Sequence, residues 1–311
     1  MMTRYFKALA VAFGCIVAAG SVSAQESAAL PFVRLDRDPV SAGMGFAGAA
    51  STAETAYSAF RNSSVIPFSD KKMEVGISGQ SWAPDGVKST NINFGTAFKA
   101  GNIVGFSFGA AYQAGEEYSV YNESGSAKGT YTPSDLVISV GTGIKILKNL
   151  SFGADFRYAS QSLSTDNSSS AFAADAFLTY NSSHLSATAG LSSFGSSVKS
   201  ESGESFSLPT SVTAGVYYKT GESAAGRLDV AVDADYFLSG DLTAAAGLQY
   251  SFKNFVFLRA GYHYGSESAV LPSFATLGLG LRYRGVSLDF AYLTANELIG
   301  GSMTFGLGFR F

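Results

Sequence analysis

The chain has 311 residues, of which only 14% are charged, and its formal net charge is −3. Soluble globular proteins carry about 25% charged residues and nucleic-acid-binding proteins carry basic runs, so the composition favours neither class and no nucleic-acid partner is expected. Glycine (35 residues) and an aromatic content of 14% instead indicate β structure that faces lipid.

The N-terminus has the pattern of an export signal. A basic start and an apolar run over residues 8–20 precede small residues at 22–24. This order predicts a secretory signal peptide over residues 1–24, with cleavage before Gln25. Cys15, the only cysteine of the sequence, lies inside it, so we expect no disulfide or thiol chemistry in the exported chain.

Residues 25–70 follow without the alternation of a β-strand, and they are rich in Gly and Ala. A short helix is expected over residues 52–60. Gly43, Gly45 and Gly48 have the spacing G-x-G-x-x-G, but a dinucleotide site needs a strand before it and a helix after it. We therefore predict close packing at these glycines, and an N-terminal plug or hatch segment over residues 25–70.

The remainder, residues 71–311, is predicted to form a transmembrane β-barrel. Segments with an apolar residue at every second position recur along it. Short connections alternate with longer polar ones, as periplasmic turns alternate with outer loops in such barrels. The fold class is therefore all-β, an antiparallel barrel with a lumenal plug. Fourteen strands are predicted, at residues 72–80, 90–99, 103–112, 135–146, 151–159, 171–181, 185–193, 210–219, 227–237, 243–252, 255–264, 275–283, 286–292 and 303–311.

Charged residues in these strands share the phase of the small residues. Facing lipid would cost roughly 2–4 kcal/mol for an Arg or Lys near the midplane, so this phase must face the lumen. The candidate lumenal residues are Asp155, Arg157, Asp229, Asp233, Asp235, Arg259, His263 and Arg282. They form either a polar surface that selects solutes or an ion network that braces the wall against the plug, and we favour the network.

No catalytic chemistry is expected from these residues. The two histidines, His184 and His263, do not lie in a metal-spaced cluster. Residues 105–109 have the spacing G-x-S-x-G, but they lie within a predicted strand and not at the strand-to-helix turn of a nucleophile elbow. A hydrolase that pairs His263 with a lumenal Ser or Asp is the alternative. We expect no enzyme activity, no cofactor and no metal.

The last predicted strand, residues 303–311, should close the barrel by pairing with the first strand, so that no edge is left in the membrane. Its apolar phase ends on Phe311. The pattern resembles the C-terminal strand that the outer-membrane assembly machinery recognises. Outer-membrane lipid and this machinery are therefore expected partners.

Residues 31–68, PFVRLDRDPVSAGMGFAGAASTAETAYSAFRNSSVIPFS, resemble the N-terminal segment of PorV/PorQ-type outer-membrane proteins, which are relatives of the FadL fatty-acid channels. The resemblance implies a 14-stranded barrel in the outer membrane of a Gram-negative bacterium, with the N-terminal segment inside the lumen. Family members include type IX secretion components that carry or tether secreted cargo. FadL relatives have Asn-Pro-Ala where this chain has Asn62-Ser63-Ser64, so Asn62 is a candidate plug residue.

Two functions follow from this resemblance. The first expectation is a secretion-linked or surface-export-linked membrane component that has secreted cargo proteins as partners. The alternative is a FadL-like channel for the uptake of small hydrophobic solutes. The outer loops of this chain are shorter than those of the cargo-binding members, and this difference distinguishes the chain from them.

Overall fold

The computed structural model describes residues 28–82, 89–122, 124–165, 167–199, 204–223, 226–266, 271–294 and 301–311. The predicted signal peptide and its cleavage site lie outside these residues. Within them, no helix is both long enough and apolar enough to cross a membrane.

The described part of the chain is mainly β structure. Its strands are β1 (Met73–Trp82), β2 (Ser89–Ala100), β3 (Val104–Ala114), β4 (Tyr118–Tyr121), β5 (Ala127–Tyr131), β6 (Ser134–Leu147), β7 (Leu150–Ser162), β8 (Ser168–Asn181), β9 (Leu185–Gly195), β10 (Val198–Lys199), β11 (Ser205–Phe206), β12 (Ser211–Lys219), β13 (Arg227–Phe237), β14 (Leu242–Phe252), β15 (Val256–Gly265), β16 (Phe274–Tyr283), β17 (Val286–Leu293) and β18 (Met303–Arg310).

Fourteen of these strands form one closed antiparallel barrel, in which β18 pairs with β1. The predicted fold class is therefore confirmed, and each predicted strand overlaps one barrel strand. β4 with β5, and β10 with β11, form two separate hairpins in the loops. The sequence did not predict these hairpins, because most of their residues are exposed and neither of their faces is buried.

The two faces of the wall differ as the alternation predicts. On β16, Leu277, Leu279 and Leu281 are exposed on the outside, whereas Thr276 is buried inside. Large apolar side chains are exposed in the same way on every barrel strand. An apolar outer face around a closed barrel is stable in lipid, where each backbone group must find a partner within the wall. The barrel therefore spans a bilayer.

The barrel has two distinct ends. At the turn end, short connections join β2 to β3, β14 to β15, and β16 to β17. Arg284 and Gly285 form a two-residue turn and have positive φ angles, as such hairpin turns require. Lys253 and Asn254, in the three-residue connection from β14 to β15, also have positive φ angles. At the loop end lie the longer connections, which include the two hairpins. Even-numbered antiparallel barrels of this design are proteins of the bacterial outer membrane, and that is where this barrel is located.

Residues 28–70, called the N-terminal segment below, lie inside the barrel. Their regular structure is limited to 3-10 turns at Pro31–Arg34, Ser58–Phe60 and Ser63–Phe68 and one α-helical turn at Pro39–Ala42. The helix expected over residues 52–60 is wrong except for its last three residues. The backbone N–H of Thr55 instead donates to the Glu74 carboxylate of β1 at 3.1 Å, so this stretch is held by the wall.

The N-terminal segment contacts all fourteen barrel strands. Many contacts occur at inward-facing glycines, where the backbone of the segment lies against the backbone of the wall. At Gly143 of β6, for example, a Cβ atom would collide with the carbonyl oxygen of Ser63. Glycine permits such a close approach because it has no side chain.

Candidate functional site

Inside the barrel lies a cavity of about 110 Å³, called the central cavity below. It lies between the N-terminal segment and the inward faces of the wall. Its charged and titratable lining residues are Arg34, Asp36, Arg37, Arg61, Arg157, Asp233, Asp235 and His263.

Three arginines of the N-terminal segment line this cavity, and each has partners. Arg34 forms an ion pair of 3.0 Å with Asp235 of β13. Arg61 pairs with Asp36 within the segment. Arg37 donates to the carbonyl oxygens of its own segment, and its guanidinium lies 4.8 Å from the centre of the Phe60 ring. None of these residues was predicted from the sequence, although a run of charges in a segment predicted to lie inside a barrel was a usable signal.

The three predicted aspartates of β13 face the lumen but make separate contacts. Asp229 lies toward the turn end, 2.8 Å from Arg227. Asp233 accepts hydrogen bonds from the backbone N–H groups of Gly48 at 2.7 Å and Ala49 at 2.8 Å. Asp235 is the partner of Arg34 described above. Two of the three thus hold the N-terminal segment.

The predicted arginines pair with acids other than these three. Arg157 lies 2.6 Å from Asp175 on the neighbouring strand and also donates to the Phe60 carbonyl oxygen at 3.1 Å. Arg259 lies 2.8 Å from Asp289. Arg282 lies 2.5 Å from Glu54 of the N-terminal segment. The structure therefore does not bring these arginines together with the three aspartates into one cluster.

Asp155 and His263 complete the predicted lumenal set. Asp155 accepts a hydrogen bond from the Ser63 backbone N–H at 3.1 Å and another from the Ser63 hydroxyl. His263 stacks on Phe274 with 4.9 Å between ring centres and lies beside Phe46. Neither ring nitrogen of His263 has a hydrogen-bond partner of normal geometry among the described residues. No cluster of metal-ligating side chains occurs in this part of the chain.

The candidate plug residues all lie against the wall. Gly43 packs on the backbone of β16, and Gly45, whose φ is +72°, packs on the backbone of β15. The N–H of Gly45 donates to the Thr276 hydroxyl at 2.8 Å. Gly48 has a φ of +131° and gives its N–H to Asp233. The amide nitrogen of Asn62 donates to the Ala49 carbonyl oxygen at 2.9 Å and to the Thr188 hydroxyl at 3.0 Å.

Glu54 connects the N-terminal segment to β16 and β18. From the sequence it was predicted only as part of a helix. It contacts Arg282 at 2.5 Å and Arg310 at 3.4 Å. Arg310 is also 3.3 Å from Glu74 of β1. Burial alone would raise the pKa of Glu54, but the charges of Arg310 and Arg282 outweigh burial and lower the pKa to about 2. Glu54 is therefore ionised at neutral pH.

An apolar cluster fills the lumen at the loop end, and it is called the loop-end cluster below. The N-terminal segment contributes Leu30, Phe32, Val33 and Leu35 to it. Wall and loop residues of the cluster are Ala111, Val137, Ala159, Ala171, Ala173, Leu208, Leu271, Phe274 and Leu293. The barrel thus holds an apolar region beside a charged one.

No family model and no curated protein matches the chain. The toluene transporter TodX of Pseudomonas putida superposes with a TM-score of 0.54 at 14% identity, covering 86% of this chain and 95% of TodX. The monoaromatic hydrocarbon channel CymD gives a TM-score of 0.61 at 15% identity, covering 88% and 97%. A FadL homologue of Pseudomonas aeruginosa gives 0.50 at 11% identity, covering 88% and 95%. The chain therefore has the fold of the FadL-type outer-membrane barrels.

Proposed function

We propose that this protein is an outer-membrane channel for the passive uptake of small hydrophobic solutes. The observation that carries the proposal is the loop-end cluster. Phe32 and Leu35 of the N-terminal segment occupy an apolar site inside the barrel, on the side of the long loops. Burial of apolar surface stabilises by roughly 25 cal/mol per Å² whichever molecule supplies it. A hydrophobic solute that enters from the loop end can therefore take the place of these side chains.

The solved structures with this fold support the same function. TodX is described as a toluene transporter and CymD as a monoaromatic hydrocarbon channel. The proposed transport is passive, so it requires no catalytic residue and no cofactor. The proposed partner of this channel is a hydrophobic small molecule.

The secretion-linked role of a PorV/PorQ-type protein is the other candidate. It is supported by the resemblance of residues 31–68, and the structural comparisons favour the channel instead. Secreted cargo proteins, and the assembly machinery that would recognise the strand before Phe311, stay predictions from the sequence.

Toluene uptake by intact cells tests the proposal. An outer leaflet of lipopolysaccharide slows hydrocarbons, so we expect cells with the protein to take up toluene faster than cells without it. The Phe32→Asp variant puts a charge into the loop-end cluster and should lower this uptake. The matched control is Tyr121→Asp, because Tyr121 is 63% exposed on the β4 hairpin. Equal uptake with and without the protein would refute the channel function.

A further inference from the structure

Three cavities follow one another inside the barrel. The central cavity of about 110 Å³ reaches inward-facing residues near the loop-end halves of β12–β15. A turn-end cavity of about 30 Å³ lies beside Glu74, Gly308 and Arg310. A linking cavity of about 10 Å³ lies within the N-terminal segment, beside Ser51, Ser58 and Asn62. The series runs from the middle of the lumen to the turn end.

Tyr57 lines all three cavities. Its ring packs against two glycines of the wall, Gly76 of β1 and Gly95 of β2. A Cβ atom on either glycine would collide with the ring. Arg61 lines the central and linking cavities, and Glu54 lines the linking and turn-end cavities. The Tyr57 side chain is thus the common boundary of the three spaces.

A polar stripe continues from Tyr57 toward the loop end. The next inward-facing residues toward the loop end are Ser78 and Gln80 on β1. On β2 they are Asn93 and Asn91. The Asn93 amide donates to Ser78 at 3.1 Å and the Asn91 amide donates to Gln80 at 3.2 Å. All four of these side chains are buried and uncharged.

The stripe and the cavities have the chemistry of hydrated space. The Gln80 amide nitrogen, the Asn91 amide oxygen and the Tyr57 hydroxyl are buried and have no hydrogen-bond partner of normal geometry among the described residues. Buried polar atoms of this kind are usually satisfied by ordered water. At roughly 10–15 Å³ for each water, the central cavity has room for several waters, the turn-end cavity for two or three and the linking cavity for one.

The polar stripe is separate from the loop-end cluster, whereas the central cavity borders this cluster at Val33, Leu35 and Leu271. The stripe lies on β1 and β2, whereas the apolar wall residues of the cluster come from β3, β6, β7, β8, β16 and β17. The turn-end cavity is bordered by Asp38, Glu54, Glu74, Asp289 and Arg310. A hydrocarbon in this cavity would displace water from charged groups, which is costly. Water and small ions would leave these groups solvated.

We propose that the lumen contains a second, hydrophilic route, which admits water and small ions along the polar stripe and through the cavities, and that the Tyr57 side chain is its constriction. The route goes beyond the proposed hydrocarbon uptake and does not depend on it. Since the ring stands between the stripe and the turn-end cavity, its removal joins spaces that are separate in this structure.

Ion conductance in planar bilayers tests the route on the full-length protein purified from outer membranes. Tyr57→Ala should raise the single-channel conductance in potassium chloride severalfold. Tyr57→Phe keeps the ring and should stay at the level of the unaltered protein. Tyr118→Ala is the matched control, because Tyr118 lies in the β4–β5 hairpin. Heat-modifiable migration of each variant verifies that the barrel is folded. A folded Tyr57→Ala variant with unaltered conductance would overturn the proposal.

Thiol labelling gives a second measurement, which reports whether a water-soluble reagent reaches this position. The sequence has one cysteine, Cys15, inside the predicted signal peptide, so Tyr57→Cys introduces a single thiol into the exported chain. A charged, water-soluble methanethiosulfonate reagent should modify this variant in the folded barrel and lower its conductance. Protection of the thiol in the folded protein, with full reaction after unfolding, would show that no hydrophilic route reaches this position.

Discussion

At the scale of single residues, the wall accepts the N-terminal segment at glycines that have no room for a side chain. Overpacking at such a site typically costs about 1–3 kcal/mol. Gly143→Ala should therefore lower the free energy of unfolding by about this amount, because its Cβ would meet the Ser63 carbonyl oxygen. Urea unfolding of the barrel in detergent or liposomes measures the change.

Gly79→Ala is the matched control for this prediction. Gly79 is also a glycine of a barrel strand, but its phase faces lipid, and the nearest atom to an added Cβ is 3.8 Å away. Its variant should unfold like the unaltered protein. If both variants lose the same stability, the loss reflects the β-strand backbone and not the contact with the N-terminal segment.

Glu54 gives a prediction about pH. Its pKa is lowered from an ordinary value of 4.5 to about 2 by Arg310 and Arg282, against the opposing effect of burial. The stability that this ionised carboxylate contributes is therefore complete above about pH 4.5 and is lost as the pH falls through about 2. Glu54→Gln should be less stable than the unaltered protein at pH 7, and the difference should shrink between pH 4.5 and 2. A difference that does not change over this interval would contradict the ion pairs.

At the scale of elements, sequence alone predicted the fourteen barrel strands. Lipid on one side and a packed lumen on the other impose an alternation that a sequence displays directly. β4, β5, β10 and β11 were missed because both of their faces meet solvent, which leaves no such pattern. The expected helix over residues 52–60 was wrong, because this stretch is held by wall contacts such as Thr55 to Glu74, whose partners lie outside any local sequence window.

The register of β16 is testable at this scale. Leu279 lies in the middle of the strand and is 44% exposed on the lipid side. Leu279→Arg should cost roughly 2–4 kcal/mol if this position is near the bilayer midplane, and should reduce the amount of barrel in the membrane. Leu279→Met keeps an apolar side chain and should insert normally. Equal amounts of the two variants in outer-membrane fractions would mean that this face does not meet lipid.

At the scale of the whole molecule, the N-terminal segment decides how much of the lumen is open. A chain in which residues 28–70 are deleted after the signal peptide should still form a barrel, since those residues supply no strand of the wall. It should be less stable, because Asp233 and Asp155 lose their hydrogen bonds to the segment. In planar bilayers it should conduct more than the full-length protein. Equal conductance would show that the segment does not block the pore.

The partners inside the lumen could not be predicted from the sequence in the same way as the strands. The phase of Asp235 showed that it faces inward, but its pairing with Arg34 joins residues about 200 positions apart in the chain. That pairing depends on where the irregular segment crosses the barrel, and such a path has no sequence period. The sequence therefore predicted that lumenal charges form ion pairs, but it did not show which residues pair with each other.

Arg310 takes part both in the closure of the barrel and in the binding of the N-terminal segment. Its guanidinium contacts Glu74 across the pairing of β18 with β1, and it contacts Glu54 of the segment at the same time. The N-terminal segment precedes every strand in the chain, whereas β18 is the last strand in chain order. One side chain thus serves both the seam of the barrel and the seating of the segment, so the loss of the Arg310 charge would weaken the two together.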